Sequence, residues 1–379
     1  MSELSGKSED DRFQPLVDLL EAQLSSGYEL GASLAVAVDG EIVCDVWGGW
    51  ADEDHTRPWD RDTITNVWST TKTMTALSAL VLIDRGQLDP GEQVATYWPE
   101  FAANGKEAIE VRHLLSHTSG VSAWAQPVTT EDILDDERAT EMLAAQAPWW
   151  EPGTASGYHA LNQGHLVGEV IRRIDGRGLK QFFAEEIAGP LDADFTIGSP
   201  PEHHDRISDV VPPPPLPIPD DLDPESIMIK TFTGPAPEAD IAHTPEWRAA
   251  TIGAANGHGN ARSVARIQGA VANRGSAGGV DLISEATVDR VFEVQSAGID
   301  LVLGFPITYG LGYGLGTPDH PMGLDWGRLC YWGGWGGSIV LNDVDNRITL
   351  AYMMNRMQDG LLGNDTSLAL VPAMRSIVA

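Results

Sequence analysis

Basic residues are scarce in this chain: 24 Lys and Arg stand against 55 Asp and Glu in 379 residues, a formal net charge of −31. A surface of that sign repels polyanions, which excludes nucleic acid and anionic membranes as partners. The carboxylates are spread along the chain, which reads as the solvated surface of a globular protein. Cysteine is scarcer still. Cys44 and Cys330 are the only two, so no disulfide framework is expected and both read as free, half-buried thiols. No run reaches the roughly 18 apolar residues needed to cross a bilayer. Residues 1–12 are polar and acidic, unlike a basic start followed by an apolar run. These absences lead to the expectation of a soluble, cytoplasmic protein with no membrane partner. The G-x-S-x-G elbow is also missing, as is a complete metal signature of the H-E-x-x-H kind. His113 with His117, and His203-His204-Asp205, are therefore read as structural, and neither cofactor nor metal is expected.

A hydrophobic content of 42% supports a sizeable core, in two domains or one large composite. Residues 12–26 carry apolar side chains at helical spacing. Gly31–Val38 and Glu41–Gly48 read as strands joined by Asp39-Gly40, a strong hairpin signal. From about 90 to 290 the pattern is mostly helix and loop, with helices expected over 113–117, 130–144, 160–174, 179–186, 264–272 and 284–294. Residues 211–219, V-P-P-P-P-L-P-I-P, can be neither helix nor central strand and read as an extended surface loop. Strands return over 310–316, 329–332, 337–342 and 348–355, the last two as a hairpin across 343–347. The layout implies an α/β chain of the α+β type. Residues 1–85 and 290–379 would form a discontinuous unit around an antiparallel sheet. Residues 86–289 would form an inserted, mainly helical unit, with the active site in the cleft between the two.

The segment N66-V-W-S-T-T-K-T-M-T-A-L places Ser69 and Lys72 three apart at the start of an apolar helix. Residues three apart share a helix face, so the lysine amine can reach the serine hydroxyl. A serine hydroxyl needs a neighbouring base to become a nucleophile, and a lysine serves once burial lowers its pKa. The helix N-terminus adds free backbone N–H groups that suit developing negative charge.

Two further segments complete a candidate site. Pro152 to Tyr158 is rich in turn residues and feeds a helix, so the Tyr158 hydroxyl can point into a cleft and shuttle a proton. Tyr331-Trp332-Gly333-Gly334-Trp335-Gly336-Gly337-Ser338 is a glycine-lined strand. Such a strand can offer a backbone N–H to an oxyanion with no side chain in the way.

In this order and at this spacing, the three segments resemble the serine β-lactamase and penicillin-recognising superfamily, and most closely its class C-like branch with the family VIII carboxylesterases. The likeness runs from about residue 30 to 355 and includes V-R-H-L-L-S-H-T-S-G at 111–120. It implies a β-lactamase-like fold: an antiparallel sheet flanked by helices, with an inserted mainly helical domain. It also implies Ser69 as nucleophile, Lys72 and Tyr158 as general base and acid, and the backbone N–H groups of Ser69 and Trp335 as oxyanion hole. Trp332, Gly333, Gly334, Trp124, Tyr313 and His159 are the expected substrate contacts, with Trp149, Trp150, Trp247 and Trp335 as further candidate pocket walls. Two positions depart from the penicillin-recognising pattern. Ala160 stands where Asn is usual, and Trp332 where a cationic or imidazole group is usual. Their apolar character favours neutral esters over anionic β-lactams. The expected activity is ester hydrolysis through an acyl-enzyme, on a small-molecule ester. The alternatives are a β-lactamase, a D-amino-acid peptidase or amidase, an acyltransferase on the same scaffold, or a non-catalytic binding protein. Oligomeric state is left open.

Overall fold

The computed structural model describes residues 4–214, 223–318, 320–360 and 363–379. Its strands are β1 (Ser5–Ser8), β2 (Gly31–Val38), β3 (Glu41–Gly49), β4 (Thr65–Asn66), β5 (Phe195–Ile197), β6 (Gly257–Gly259), β7 (Ser276–Ala277), β8 (Val280–Asp281), β9 (Ser296–Ile299), β10 (Pro306–Tyr309), β11 (Gly314–Leu315), β12 (Leu329–Gly333), β13 (Ile339–Asp343) and β14 (Ile348–Met354). Nine of them form one antiparallel sheet in the order β1-β3-β2-β14-β13-β12-β11-β10-β9. The β2–β3 hairpin turns on Asp39 and Gly40, whose φ values of 51° and 80° are both positive, as a two-residue type I′ turn requires. Strand β14 pairs with β2, Ala351 opposite Ala35, so the two ends of the chain close the centre of the sheet.

The helices are α1 (Gln14–Ser26), α2 (Thr71–Asp84), α3 (Val94–Tyr97), α4 (Val111–Leu115), α5 (Thr130–Leu134), α6 (Asp136–Ala145), α7 (Gln163–Asp175), α8 (Leu179–Phe183), α9 (Ile227–Phe232), α10 (Pro245–Ala249), α11 (Ala261–Ala272), α12 (Glu285–Val291) and α13 (Asp365–Val378). Successive strand side chains face opposite ways, and β2 shows the result. Ala35 and Ala37 join the core that holds α2 and α11. Leu34 and Val36 join the core that holds α1 and α13. Both faces are covered, which is why β2 and β14 are apolar along their length. Every residue of α2 from Thr71 to Ile83 is buried. Each fully buried Leu or Val contributes roughly 1.5–3 kcal/mol, so Leu77, Leu80, Val81 and Leu82 fix this helix, and with it the position of Ser69.

Several expected elements differ. The helix expected over 130–144 is two, because Asp135 is extended and its side chain accepts the Arg138 N–H to start α6 afresh. The strand expected over 310–316 is broken at Gly312, whose φ of 86° makes a turn before β11. Helix α11 lies within 86–289 yet packs on β2, β13 and β14, because its apolar stripe, Val264, Ile267 and Val271, faces the sheet. It belongs with the sheet layer. Of the proline-rich segment, 211–214 are extended and Val211 bridges to Arg356, while 215–219 lie outside the described residues. Strands β1, β9 and β10 and the small β4-β6-β5 sheet had no expectation. Cys44 and Cys330 are free and buried. No helix among the described residues is long and apolar enough to cross a membrane.

Candidate active site

The chain enters α2 through Trp68, whose φ of 47° is left-handed. Such a conformation is costly for a bulky residue and persists only where surroundings enforce it. Here the indole packs against Trp247 and Trp335, with ring centroids 5.8 and 5.1 Å away. The turn leaves Ser69 partly exposed at the mouth of an otherwise buried helix.

Lys72 is 2% exposed. Its Nζ lies 2.8 Å from the Ala160 carbonyl, 3.0 Å from the Ala254 carbonyl and 3.2 Å from Ser69 Oγ. Among the described residues no carboxylate pairs with it. Burial therefore holds its pKa well below the usual lysine value, since desolvation disfavours the charged form. A neutral amine has two hydrogens and one lone pair. As an ammonium Lys72 donates to all three oxygens; in its neutral form the two carbonyls would keep the hydrogens and the lone pair would turn to Ser69 Oγ.

Tyr158 donates to Ser69 Oγ over 2.7 Å, and its ring centroid lies 4.7 Å from Lys72 Nζ. Burial pushes the phenol up to about 12, against the lowering effect of contacts with Ser69 and Trp332. Burial thus pushes the phenol toward its protonated form and the amine toward its neutral form. Trp332 and His117 flank the ring, with centroids 5.4 and 5.2 Å away.

The glycine-rich turn after β12 is tied to the start of α2. Ser338 Oγ donates to the Val67 carbonyl over 3.0 Å and lies 3.0 Å from Thr70 Oγ1. The Gly334 N–H donates to the Ser338 carbonyl. A Cβ on Gly334 would come within 2.3 Å of Val67 O and 3.3 Å of Ser69 N, so only glycine fits. The backbone N–H groups of Ser69 and Trp335 donate to no acceptor among the described residues. Free backbone donors of this kind suit a tetrahedral oxyanion.

Four aromatic expectations are corrected. Trp124 is fully buried, its indole N–H donating to the Ala139 carbonyl. Tyr313 is buried against Thr73 and Gln268. Trp247 is buried and donates to Asn66. All three are core residues, because the apolar interior takes large rings that lie close in sequence or space to the motifs. His159 is fully buried, with both ring nitrogens engaged by the Gly157 carbonyl and Ser119 Oγ, and burial lowers it to about 3. It braces the Tyr158 loop and has no atom free for substrate. Trp150 also braces that loop, its N–H donating to the Ala155 carbonyl. Sequence reasoning missed the Ala160 and Ala254 carbonyls, the Thr70–Ser338 tie, His117 and Asp300, which accepts the Tyr158 backbone N–H. A cavity of about 500 Å³ lined by Asp136, His165 and Glu169 contains none of Ser69, Lys72 or Tyr158.

A serine, a buried amine and a phenol meet at the end of a central helix, beside an antiparallel sheet. The family profile described as Beta-lactamase matches residues 13–371, and the chain belongs to the Beta-lactamase family. It is 33% identical to "Esterase/beta-lactamase LipL" of Mycobacterium tuberculosis, over 94% of this chain and 84% of that protein. It is 28% identical to "Esterase EstB" of Burkholderia gladioli, over 79% and 81%. Among solved structures, a family VIII carboxylesterase superposes with a TM-score of 0.92 at 36% identity, covering 99% of this chain and 100% of that one.

Proposed function

We propose that this chain is a serine carboxylesterase working through an acyl-enzyme on Ser69. The observation that carries the reading is the convergence of Lys72 Nζ and the Tyr158 hydroxyl on Ser69 Oγ. Ser69 Oγ attacks the ester carbonyl carbon and its proton passes to Lys72. The oxyanion accepts from the Ser69 and Trp335 N–H groups. As the carbon–oxygen bond to the alcohol breaks, Tyr158 gives its proton to the departing oxygen and is reprotonated by the Lys72 ammonium. Water then attacks the acyl-enzyme, its proton goes to the Lys72/Tyr158 pair, and Ser69 leaves with a proton restored. In this reading the cleft opens between a sheet-based unit, residues 1–85 and 290–379 with α11 added, and the mainly helical residues between them.

Ester as the substrate is supported by the apolar surroundings of Tyr158. Tyr158 and Trp332 cluster with Val302, Leu303, Ile307 and Tyr309, and Ala160, Ile227, Phe232 and Phe305 pack on them. Trp332 and Ala160 offer no cation and no amide to a β-lactam carboxylate. The names of the relatives carry "esterase", and the double name of one keeps β-lactam cleavage as a second reading. The test is steady-state hydrolysis of p-nitrophenyl acetate, butyrate and octanoate, beside nitrocefin, by the wild type and Ser69→Ala. Ester turnover that depends on Ser69 and exceeds nitrocefin turnover is expected. Nitrocefin turnover equal to or above ester turnover would move the assignment to amide cleavage.

A further inference from the structure

We infer that Asp300 is a positioning residue for Tyr158: its buried carboxyl group anchors the tyrosine backbone from 142 positions away, an inference that rests on the catalytic reading of Tyr158. Asp300 follows β9 and is fully buried. Its Oδ1 accepts the backbone N–H of Tyr158 at 3.0 Å and those of Val302 and Leu303 at 2.9 Å. Its Oδ2 accepts the Tyr309 hydroxyl at 3.3 Å. The turn is closed by the Asp300 N–H on the Phe305 carbonyl, and the Leu301 N–H donates to the Ser156 carbonyl over 2.8 Å. The loop carrying Tyr158 is therefore stapled twice to the β9–β10 turn, once through a side chain and once through backbone.

A purely structural clamp has no need of an acid. Burying a carboxyl group far from any cation is expensive, and no Lys or Arg pairs with Asp300 among the described residues. Its charge has a second effect. Tyr158 is faced by Lys72 and Ser69 from α2, by His117 after α4, by His159 beside it, by Tyr309 from β10 and by Trp332 from β12. Burial lowers both histidines, so neither supplies positive charge near neutral pH. Burial is the main cause that raises the Tyr158 phenol, and an Asp300 carboxylate adds to it. One residue thus holds Tyr158 in place and adds to the burial that favours the protonated phenol.

Asp300→Asn retains an acceptor for the three N–H groups and removes the charge; Asp300→Ala removes both. Each is measured for kcat and KM on an alkyl ester. The Asn variant and the wild type are also titrated by tyrosinate absorbance, with Tyr158→Phe as the background that identifies the Tyr158 signal. The Ala variant should lose about 100-fold in kcat with little change in KM, the size expected for a misplaced catalytic group. The Asn variant should keep more kcat than the Ala variant, and its Tyr158 should ionise at lower pH than in the wild type. If the Ala variant does not fold, the Asn variant carries the test alone. Wild-type titration of Tyr158 in the Asn variant would overturn the inference, as would wild-type kcat in a folded Ala variant. Should Tyr158→Phe itself turn over normally, the catalytic reading of Tyr158 falls and the inference with it. An inactive Tyr158→Phe beside wild-type Asp300 variants removes the inference alone.

Discussion

Replacing Lys72 by alanine is expected to lower kcat/KM for esters by on the order of 10⁴-fold, as loss of one member of a nucleophile–base unit does. Arginine should not rescue it, because a guanidinium stays charged and has no lone pair to accept the Ser69 proton. The wild-type pH profile provides the second arm. Lys72 acts as base only when neutral, so kcat/KM rises with pH as the ammonium loses its proton. Burial holds that loss well below the ordinary lysine value of 10.5, and the rise should be complete before a free lysine would begin to titrate. In Lys72→Ala the residual activity should lack that limb. An unchanged acidic limb in the alanine variant would mean that another group is the base.

Tyr158→Phe should lower kcat by about 10²–10⁴-fold, the range for loss of a positioned general acid or base. Phenylalanine keeps the ring over Lys72 and the packing against Trp332 and His117, so the variant should fold. The loss should depend on the leaving group. p-Nitrophenolate departs without help, whereas an alkoxide needs a proton as it leaves. The defect should therefore be larger for ethyl or methyl esters than for p-nitrophenyl esters of the same acid. Equal losses on both would mean that Tyr158 acts before the alcohol departs, in activating Ser69.

The parts of the site that sequence made legible are those written in local spacing. Ser69 and Lys72 meet because they stand three apart in the turn that opens α2, closed by the Lys72 N–H on the Ser69 carbonyl, and the Gly333-Gly334 pair announces a close backbone approach. The Asp39-Gly40 hairpin and the strands at both ends of the chain are legible for the same reason. Groups that act through the backbone are not. The Ala160 and Ala254 carbonyls hold Lys72, yet any residue type offers a carbonyl. Asp300 meets Tyr158 only because β9 and β10 extend the sheet to the edge of the cleft, and nothing local to Gly298-Ile299-Asp300 foretells it. Trp68 occupies a left-handed conformation that no tryptophan suggests from sequence. The aromatic expectations failed in the opposite direction. Trp124, Tyr313 and Trp247 stand near the motifs, but large rings are drawn into the interior by the area they bury. Trp332 differs in being packed directly on Tyr158.

The central claim is that Ser69 forms a covalent bond to the acyl carbon, and trapping that bond tests it most directly. The wild type and Ser69→Ala would be exposed to a p-nitrophenyl alkylphosphonate, whose phosphorus accepts the nucleophile and releases p-nitrophenol, and then read by intact-mass spectrometry and peptide mapping. The account predicts one alkylphosphonyl adduct per chain, on the peptide containing Ser69, and none in Ser69→Ala. An adduct that maps elsewhere, or one that persists in Ser69→Ala, would contradict it.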